Sequence, residues 1–393
     1  MPAITKEQKK AYDNLKIHKD HRVILCLDGG GMRGILTLQL LKKIEEIAGI
    51  PCHEFVDMVA GTSTGAIISG LIAAGKNATE IESLYIEFVT KVFHKRSVLA
   101  NRFLNMPAYD KKYYREALKN VVGDITLGTA SKTSGVDVLI TSKDVTDNEE
   151  TFFSCFNVDG KMVGTYQDVL LRAVMEATMS APTYFSPLER FIDGGTTTYN
   201  NPSLAALIEA VQYGGRDKYS AATTTLISLG TGTMVKSVKP EEALKPNGPD
   251  VYFWLNYVMD ESSQDASDMQ IDLLRSKLKP VADYRRFQIS LDTESLNKIP
   301  DRDISALHIG QAKWLRELTD EVLSDIGMDD VSKFGLMKAI GESMVDYIMK
   351  KNKFTRDLND TPSHRDELIT AWGNIERIKA QLSSAKWIDG MVS

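Results

Sequence analysis

Three short segments carry residue types that can do chemistry together. The first is Asp28-Gly29-Gly30-Gly31-Met32-Arg33-Gly34, set between an apolar run and a helix-patterned stretch. Glycines let the backbone turn tightly and leave N–H groups unobstructed, and a helix N-terminus favours negative charge. Such a loop suits a phosphate or a developing oxyanion, although a plain turn has the same look. The second is Gly61-Thr62-Ser63-Thr64-Gly65. This is a G-x-S-x-G elbow in its required context, between a strand and a helix, where glycines Gly61 and Gly65 let the serine hydroxyl stand clear of the backbone. The competing role for Ser63 is an ordinary helix N-cap.

An activated serine needs a base within hydrogen-bond reach. His18 and His21 lie in a charged arm, His53 in a turn, His94 beside Lys95 and Arg96, and His308 and His364 near helix starts. Asp193 is better placed, in the third segment. Phe191-Ile192 delivers it to a strand end and Gly194-Gly195 then turns the chain. Catalytic groups of α/β proteins gather at the carboxyl ends of their strands. An isolated D-G-G would read as a turn cap; the two other segments favour a base.

Elements of alternating type must hold these segments. Val23–Leu27 is five apolar residues in a row, the pattern of a strand buried on both faces. Phe55–Ala60, Val136–Ile140, Thr151–Val158, Arg190–Asp193, Thr224–Leu229 and Tyr284–Leu291 read as further strands. Ile35–Ala48, Ala66–Ala74, Gln167–Met179 and Ser203–Tyr213 read as helices. The alternation predicts an α/β fold with a mainly parallel sheet flanked by helices. Residues 1–21 read as a charged arm or a short helix, and 22–300 as the catalytic α/β domain. Residues 301–393 read as a helical C-terminal cap, with apolar faces over Ile304–Val322 and Leu368–Leu382.

Composition narrows the classes. With 43% hydrophobic and 25% charged residues the chain is globular, and a net charge of −6 argues against a nucleic-acid partner bound through a basic face. Cys26, Cys52 and Cys155 are far apart and match no metal spacing, which predicts reduced thiols and a cytoplasmic setting. The arm has no apolar h-region and no stretch is long enough to span a bilayer, so membrane contact is expected to be peripheral.

D-G-G-G-x-R-G, then G-T-S-T-G, then a distant D-G-G resemble the patatin-like phospholipases over about residues 22–235. Ser180-Ala181-Pro182-Thr183-Tyr184-Phe185, Asn200-Asn201-Pro202 and Leu229-Gly230-Thr231-Gly232 support the resemblance. It implies a three-layer fold and hydrolysis of lipid acyl esters by a Ser–Asp dyad, of the phospholipase A or lysophospholipase type, with no metal or other cofactor. By position, Ser63 is the nucleophile and Asp193 the base. The backbone of Gly29, Gly30, Gly31 and Met32 forms the oxyanion hole, supported by Arg33. Thr196-Thr197-Thr198-Tyr199 departs from the apolar residues usual there.

Two further stretches could meet ligands. Lys91 to Arg115 carries Lys91, Lys95, Arg96, Arg102, Lys111, Lys112 and Arg115 against Asp110 alone, with aromatics interleaved. It suits anionic headgroups at the inner membrane surface, or an anionic activator. Some bacterial enzymes that resemble this chain are antiviral (antiphage) effectors switched on by cyclic nucleotides, which makes such an activator an expectation here; a solvated helical face is the default. Val251–Met259, dense in aromatics inside the acidic stretch 241–275, suits an acyl channel, a lid or a core helix. Acyl transfer to another alcohol, a Ser–His–Asp hydrolase using His308 or His364, and a non-enzymatic nucleotide-binding adaptor are the alternatives. Assembly as a homo-oligomer is left open.

Overall fold

The computed structural model describes residues 4–93, 107–156, 166–214, 218–234, 251–275, 281–297, 299, 315–324 and 326–352. Seven strands form one sheet: β1 (Arg22–Leu27), β2 (Met58–Gly61), β3 (Asp137–Asp144), β4 (Glu149–Ser154), β5 (Phe191–Asp193), β6 (Thr224–Leu229) and β7 (Asp283–Phe287). Helix α1 (Lys6–Asn14) precedes β1, and between β1 and β3 lie α2 (Gly34–Ala48), α3 (Thr64–Ala73), α4 (Ala78–Val92), α5 (Lys111–Val122) and α6 (Leu127–Ser134). After β4 come α7 (Leu171–Thr178), α8 (Ser203–Tyr213), α9 (Val251–Leu274), α10 (Thr293–Asn297), α11 (Asp320–Ser324) and α12 (Phe334–Asn352).

The sheet order is β4-β3-β2-β1-β6-β7. β3, β2, β1, β6 and β7 are parallel, whereas β4 and β5 both pair with β3 antiparallel. β1 sits in the middle with Val23 to Leu27 buried, as its unbroken apolar run requires. The chain leaves β1 toward β2 on one side and leaves β6 toward β7 on the other. Right-handed crossovers that travel in opposite directions put their helices on opposite faces. α2 and α3 therefore cover one face, and α8 and α9 the other. The reversal falls between β1 and β6, and a crevice opens there at the strands' carboxyl ends.

Local chemistry sets the element ends. α2 stops at Gly49, whose φ of 81° closes the helix in the left-handed conformation. α4 starts with a capping box in which Asn77 accepts from the Thr79 and Glu80 amides and Glu80 reaches back to the Asn77 amide. β2 begins at Met58 rather than Phe55, because Cys52–Glu54 forms a 3-10 turn from which Phe55 and Val56 are buried without joining the ladder. β3 extends past Ile140 to Asp144, since β4 and β5 both need that end as a template.

The helix expected over 304–322 does not run through. Thr319 interrupts it by capping α11: its hydroxyl accepts from the Val322 amide at 3.3 Å and its carbonyl from the Leu323 amide at 3.0 Å. Residues 304–314 and the expected helix at 368–382 lie outside the described residues, as does the unit formed by 359–393. α12 packs along α2, burying Met337, Ile340 and Met344.

Candidate active site

β2 ends at Gly61, opposite Ile140 of β3. Two residues later Ser63 turns the chain into α3 with φ 51° and ψ −120°. That conformation is costly for a residue with a Cβ and persists only when its surroundings enforce it. They do so here. Gly65 sits so close to β1 that a Cβ would lie 2.2 Å from the Leu27 carbonyl oxygen, and Gly61 and Gly65 face each other with no room for a side chain. Thr62 donates to the Tyr199 carbonyl at 2.8 Å, and the Ser63 amide donates to Thr178 Oγ1 at 2.8 Å.

Asp193 arrives from the opposite direction. β4 occupies one side of β3 up to Asp144, so β5 must lie on the other, the side of β2. β5 is antiparallel and its last residue, Asp193, lies opposite Ser142. Ser63 Oγ donates to Asp193 Oδ2 at 2.7 Å, across 130 residues of sequence. The other carboxylate oxygen accepts the Gly195 amide at 2.7 Å, and the Asp193 amide donates to the Ser180 carbonyl. Gly194 packs on Thr141, where a Cβ would meet Oγ1 at 2.4 Å. Burial pushes the Asp193 carboxyl up to about 6, against the pull of the Ser63 hydroxyl and the Gly195 amide.

The glycine loop runs from the end of β1 beside this pair. A Cβ on Gly29 would come within 3.2 Å of Ser63 Cβ, so the loop lies against Ser63. Its carbonyls are tied outward: Thr231 Oγ1 donates to Gly29 O at 3.0 Å, and the Tyr85 hydroxyl donates to Gly31 O. The expected four-residue oxyanion hole narrows. The Met32 amide is already used by the Met328 carbonyl at 2.8 Å, and the Gly29 amide points to the Asn200 carbonyl at 3.3 Å. Among the described residues the Gly30 and Gly31 amides have no backbone partner. The Arg33 amide closes the turn on Gly30 O, and the Arg33 side chain lines the crevice.

The crevice over Ser63 is walled by Phe93, Met179, Pro182, Tyr184, Phe185, Met234 and Met328, with Glu261, Gln264 and Asp329 among its polar lining residues. An apolar trough that ends on a polar dyad suits a substrate with an alkyl arm and a polar head. No histidine is among the described residues that line it. His94, His308 and His364 lie outside the described residues.

The described members of the basic stretch do not form one open patch. Lys111 is buried, 3.1 Å from Glu176, and donates to Ser180 Oγ; Arg115 forms a bidentate pair with the same Glu176. A buried carboxylate requires such partners, so these two cations serve the interior. Lys91 pairs with Glu87 one helical turn back, Lys112 is exposed, and Lys95, Arg96 and Arg102 lie outside the described residues. The aromatic stretch 251–259 forms the start of α9.

Sequence reasoning assigned no role to Thr178, Asn200, Thr231, Arg286 or Met328. Asn200 and Thr231 stood in quoted motifs without a function. For Arg286 a signal existed: an arginine between Tyr284 and Phe287 in a parallel strand has to be paired when buried. Thr178 and Met328 carry none, because their roles come from where the fold puts one hydroxyl and one carbonyl.

A family model described as patatin-like phospholipase matches residues 25–207. The 85/88 kDa calcium-independent phospholipase A2 of Rattus norvegicus is 29% identical over 251 residues, 59% of this chain and 30% of that protein. Patatin-like protein 2 of Oryza sativa subsp. indica is 27% identical over 331 residues, 71% of this chain and 79% of that protein. The cGAMP-activated phospholipase of Escherichia coli (strain TW11681) is 32% identical over 203 residues, 47% of this chain and 55% of that protein. The chain thus spans less than a third of the mammalian relative and about half of the bacterial one. Residues 25–207 form a patatin-like phospholipase domain.

Proposed function

We propose that the chain is a serine acyl hydrolase of lipid esters, of the phospholipase A or lysophospholipase type. The 2.7 Å hydrogen bond from Ser63 Oγ to a buried Asp193 carboxylate, beside free glycine amides, carries this reading. Ser63 Oγ attacks the ester carbonyl while Asp193 Oδ2 takes its proton. The carbonyl oxygen, now an oxyanion, is held by the Gly30 and Gly31 amides; one such donor is worth about 2.7–4 kcal/mol. Collapse expels the lysolipid alkoxide, which receives the proton from Asp193. Water then adds to the Ser63 acyl ester with Asp193 again as base, releasing fatty acid. With a pKa near 6, Asp193 is ionised at neutral pH yet basic enough to share the proton in the transition state.

Peripheral binding to a phospholipid surface belongs to the same reading. Among the described residues no helix is long and apolar enough to cross a membrane. A cyclic nucleotide activator is a second element, supported by the name of the Escherichia coli relative. Fatty-acid release from mixed phosphatidylglycerol and phosphatidylethanolamine vesicles tests both. The native chain is expected to release acyl chains, and Ser63→Ala and Asp193→Asn to release none. Release that requires an added cyclic dinucleotide or trinucleotide supports the activator; silence under every condition removes the phospholipid assignment.

A further inference from the structure

Asp28 opens the glycine loop and lines the crevice, yet it is buried and carries a carboxylate. A negative charge beside an oxyanion hole opposes the charge that the hole must stabilise. The partner that resolves this lies two strands away. Arg286, on β7, reaches under β6 and clamps Asp28 with both guanidinium ends: Nη1 to Oδ1 at 2.8 Å and Nη2 to Oδ2 at 2.5 Å. Nη1 also donates to Ser228 Oγ of β6 at 2.8 Å, and both side chains of the pair are buried. The Asp28 amide is fixed as well, to the Leu229 carbonyl at 3.1 Å. The start of the loop is thereby pinned to β6 and β7 at once.

We infer that Arg286 is a positioning residue for the acyl-transfer step, holding the glycine loop in register with Ser63 and cancelling the Asp28 charge where the oxyanion forms. The inference rests on the Ser63–Asp193 reading above and assigns the far side of the sheet a part in it. The fork of an arginine matches a carboxylate in two directions, so the contact fixes orientation as well as charge. Arg286 itself does not line the crevice; it acts through Asp28.

The test is the rate at which a fluorophosphonate with an alkyl arm labels Ser63, with labelling located by peptide mass spectrometry and folding followed by thermal denaturation. This readout needs the nucleophile and the oxyanion hole but no phospholipid turnover. Arg286→Gln is expected to slow labelling at least tenfold, short of the roughly 100-fold that loss of an oxyanion donor itself costs. Asp28→Asn/Arg286→Gln, which removes the stranded charge together with its partner, is expected to recover most of that loss. Arg286→Lys, with the charge kept but the fork lost, is expected to fall in between; it decides the matter should Arg286→Gln not fold. A double variant as slow as Arg286→Gln at equal thermal stability would overturn the electrostatic role. Native-rate labelling of Arg286→Gln, or of Arg286→Lys where it stands in, would overturn the inference altogether. A native chain that labels at Ser63 but spares phospholipid refutes only the substrate assignment, whereas a native chain that does not label refutes the serine-hydrolase reading and this inference with it.

Discussion

Gly61 and Asp193 end two strands that share one lane of the sheet and run toward each other. β2 comes up beside β3 and stops opposite Ile140; β5 comes down the same side and stops opposite Ser142. The gap between them is where Ser63 and Asp193 meet. The dyad is thus a property of strand register, since a slip of one residue in β5 would turn Asp193 to the other face of the sheet.

Activity should follow the ionisation of Asp193. Because the carboxylate must be charged to take the serine proton, kcat/KM is expected to rise with pH through about 6 and to level off above it. A pH–rate profile on a soluble ester checks this.

The same burial has a cost in stability. The Asp193 pKa is raised by folding, so its ionisation penalty is absent below the unfolded value near 3.8 and complete above about 6, where it amounts to about 3 kcal/mol. Asp193→Asn is therefore expected to abolish activity while raising the melting temperature at pH 7–8. That gain should vanish as pH falls to about 4.

Ser63 carries backbone strain at φ 51°. Ser63→Ala keeps the Cβ and the strain, whereas Ser63→Gly removes both. Both variants should be inactive, and the glycine variant should be the more stable by about 1 kcal/mol or more. Paired urea titrations distinguish them.

Gly31 should tolerate nothing larger. It sits at φ +58°, and a Cβ would lie 2.3 Å from the Met328 carbonyl oxygen. Gly31→Ala is expected to lower kcat by about 100-fold with little change in KM, as loss of an oxyanion donor does. Because the obstacle is backbone, adding Met328→Ala should restore nothing.

Lys111 and Arg115 should behave differently although both hold Glu176. Lys111 is buried, and its replacement by Ala is expected to cost about 3 kcal/mol. Arg115 is half-exposed, and Arg115→Ala should cost about 1 kcal/mol or less. Urea titrations of the two variants, repeated at high salt, check the contrast.

Much of this was legible in the residues. The unbroken run Val23–Leu27 announced a strand buried on both faces, and Thr224–Leu229 and Ser203–Tyr213 form the elements expected of them. Asp193 and Ser63 could be paired on paper through their glycines. What stayed hidden depends on tertiary approach. Lys111 reads as a surface cation until Glu176 is placed beneath it, and the Met32 amide reads as free until Met328 returns to meet it. The break at Thr319 was masked by apolar residues whose helical spacing continues on both sides of it.

The segment at the end of α7 grips both halves of the dyad, with Thr178 holding the Ser63 amide and Ser180 the Asp193 amide. Ser63 and Asp193 thus hang from one common mount. A displacement of that mount would move both anchored amides together, so the Ser63–Asp193 contact would outlast a breathing of the crevice around it.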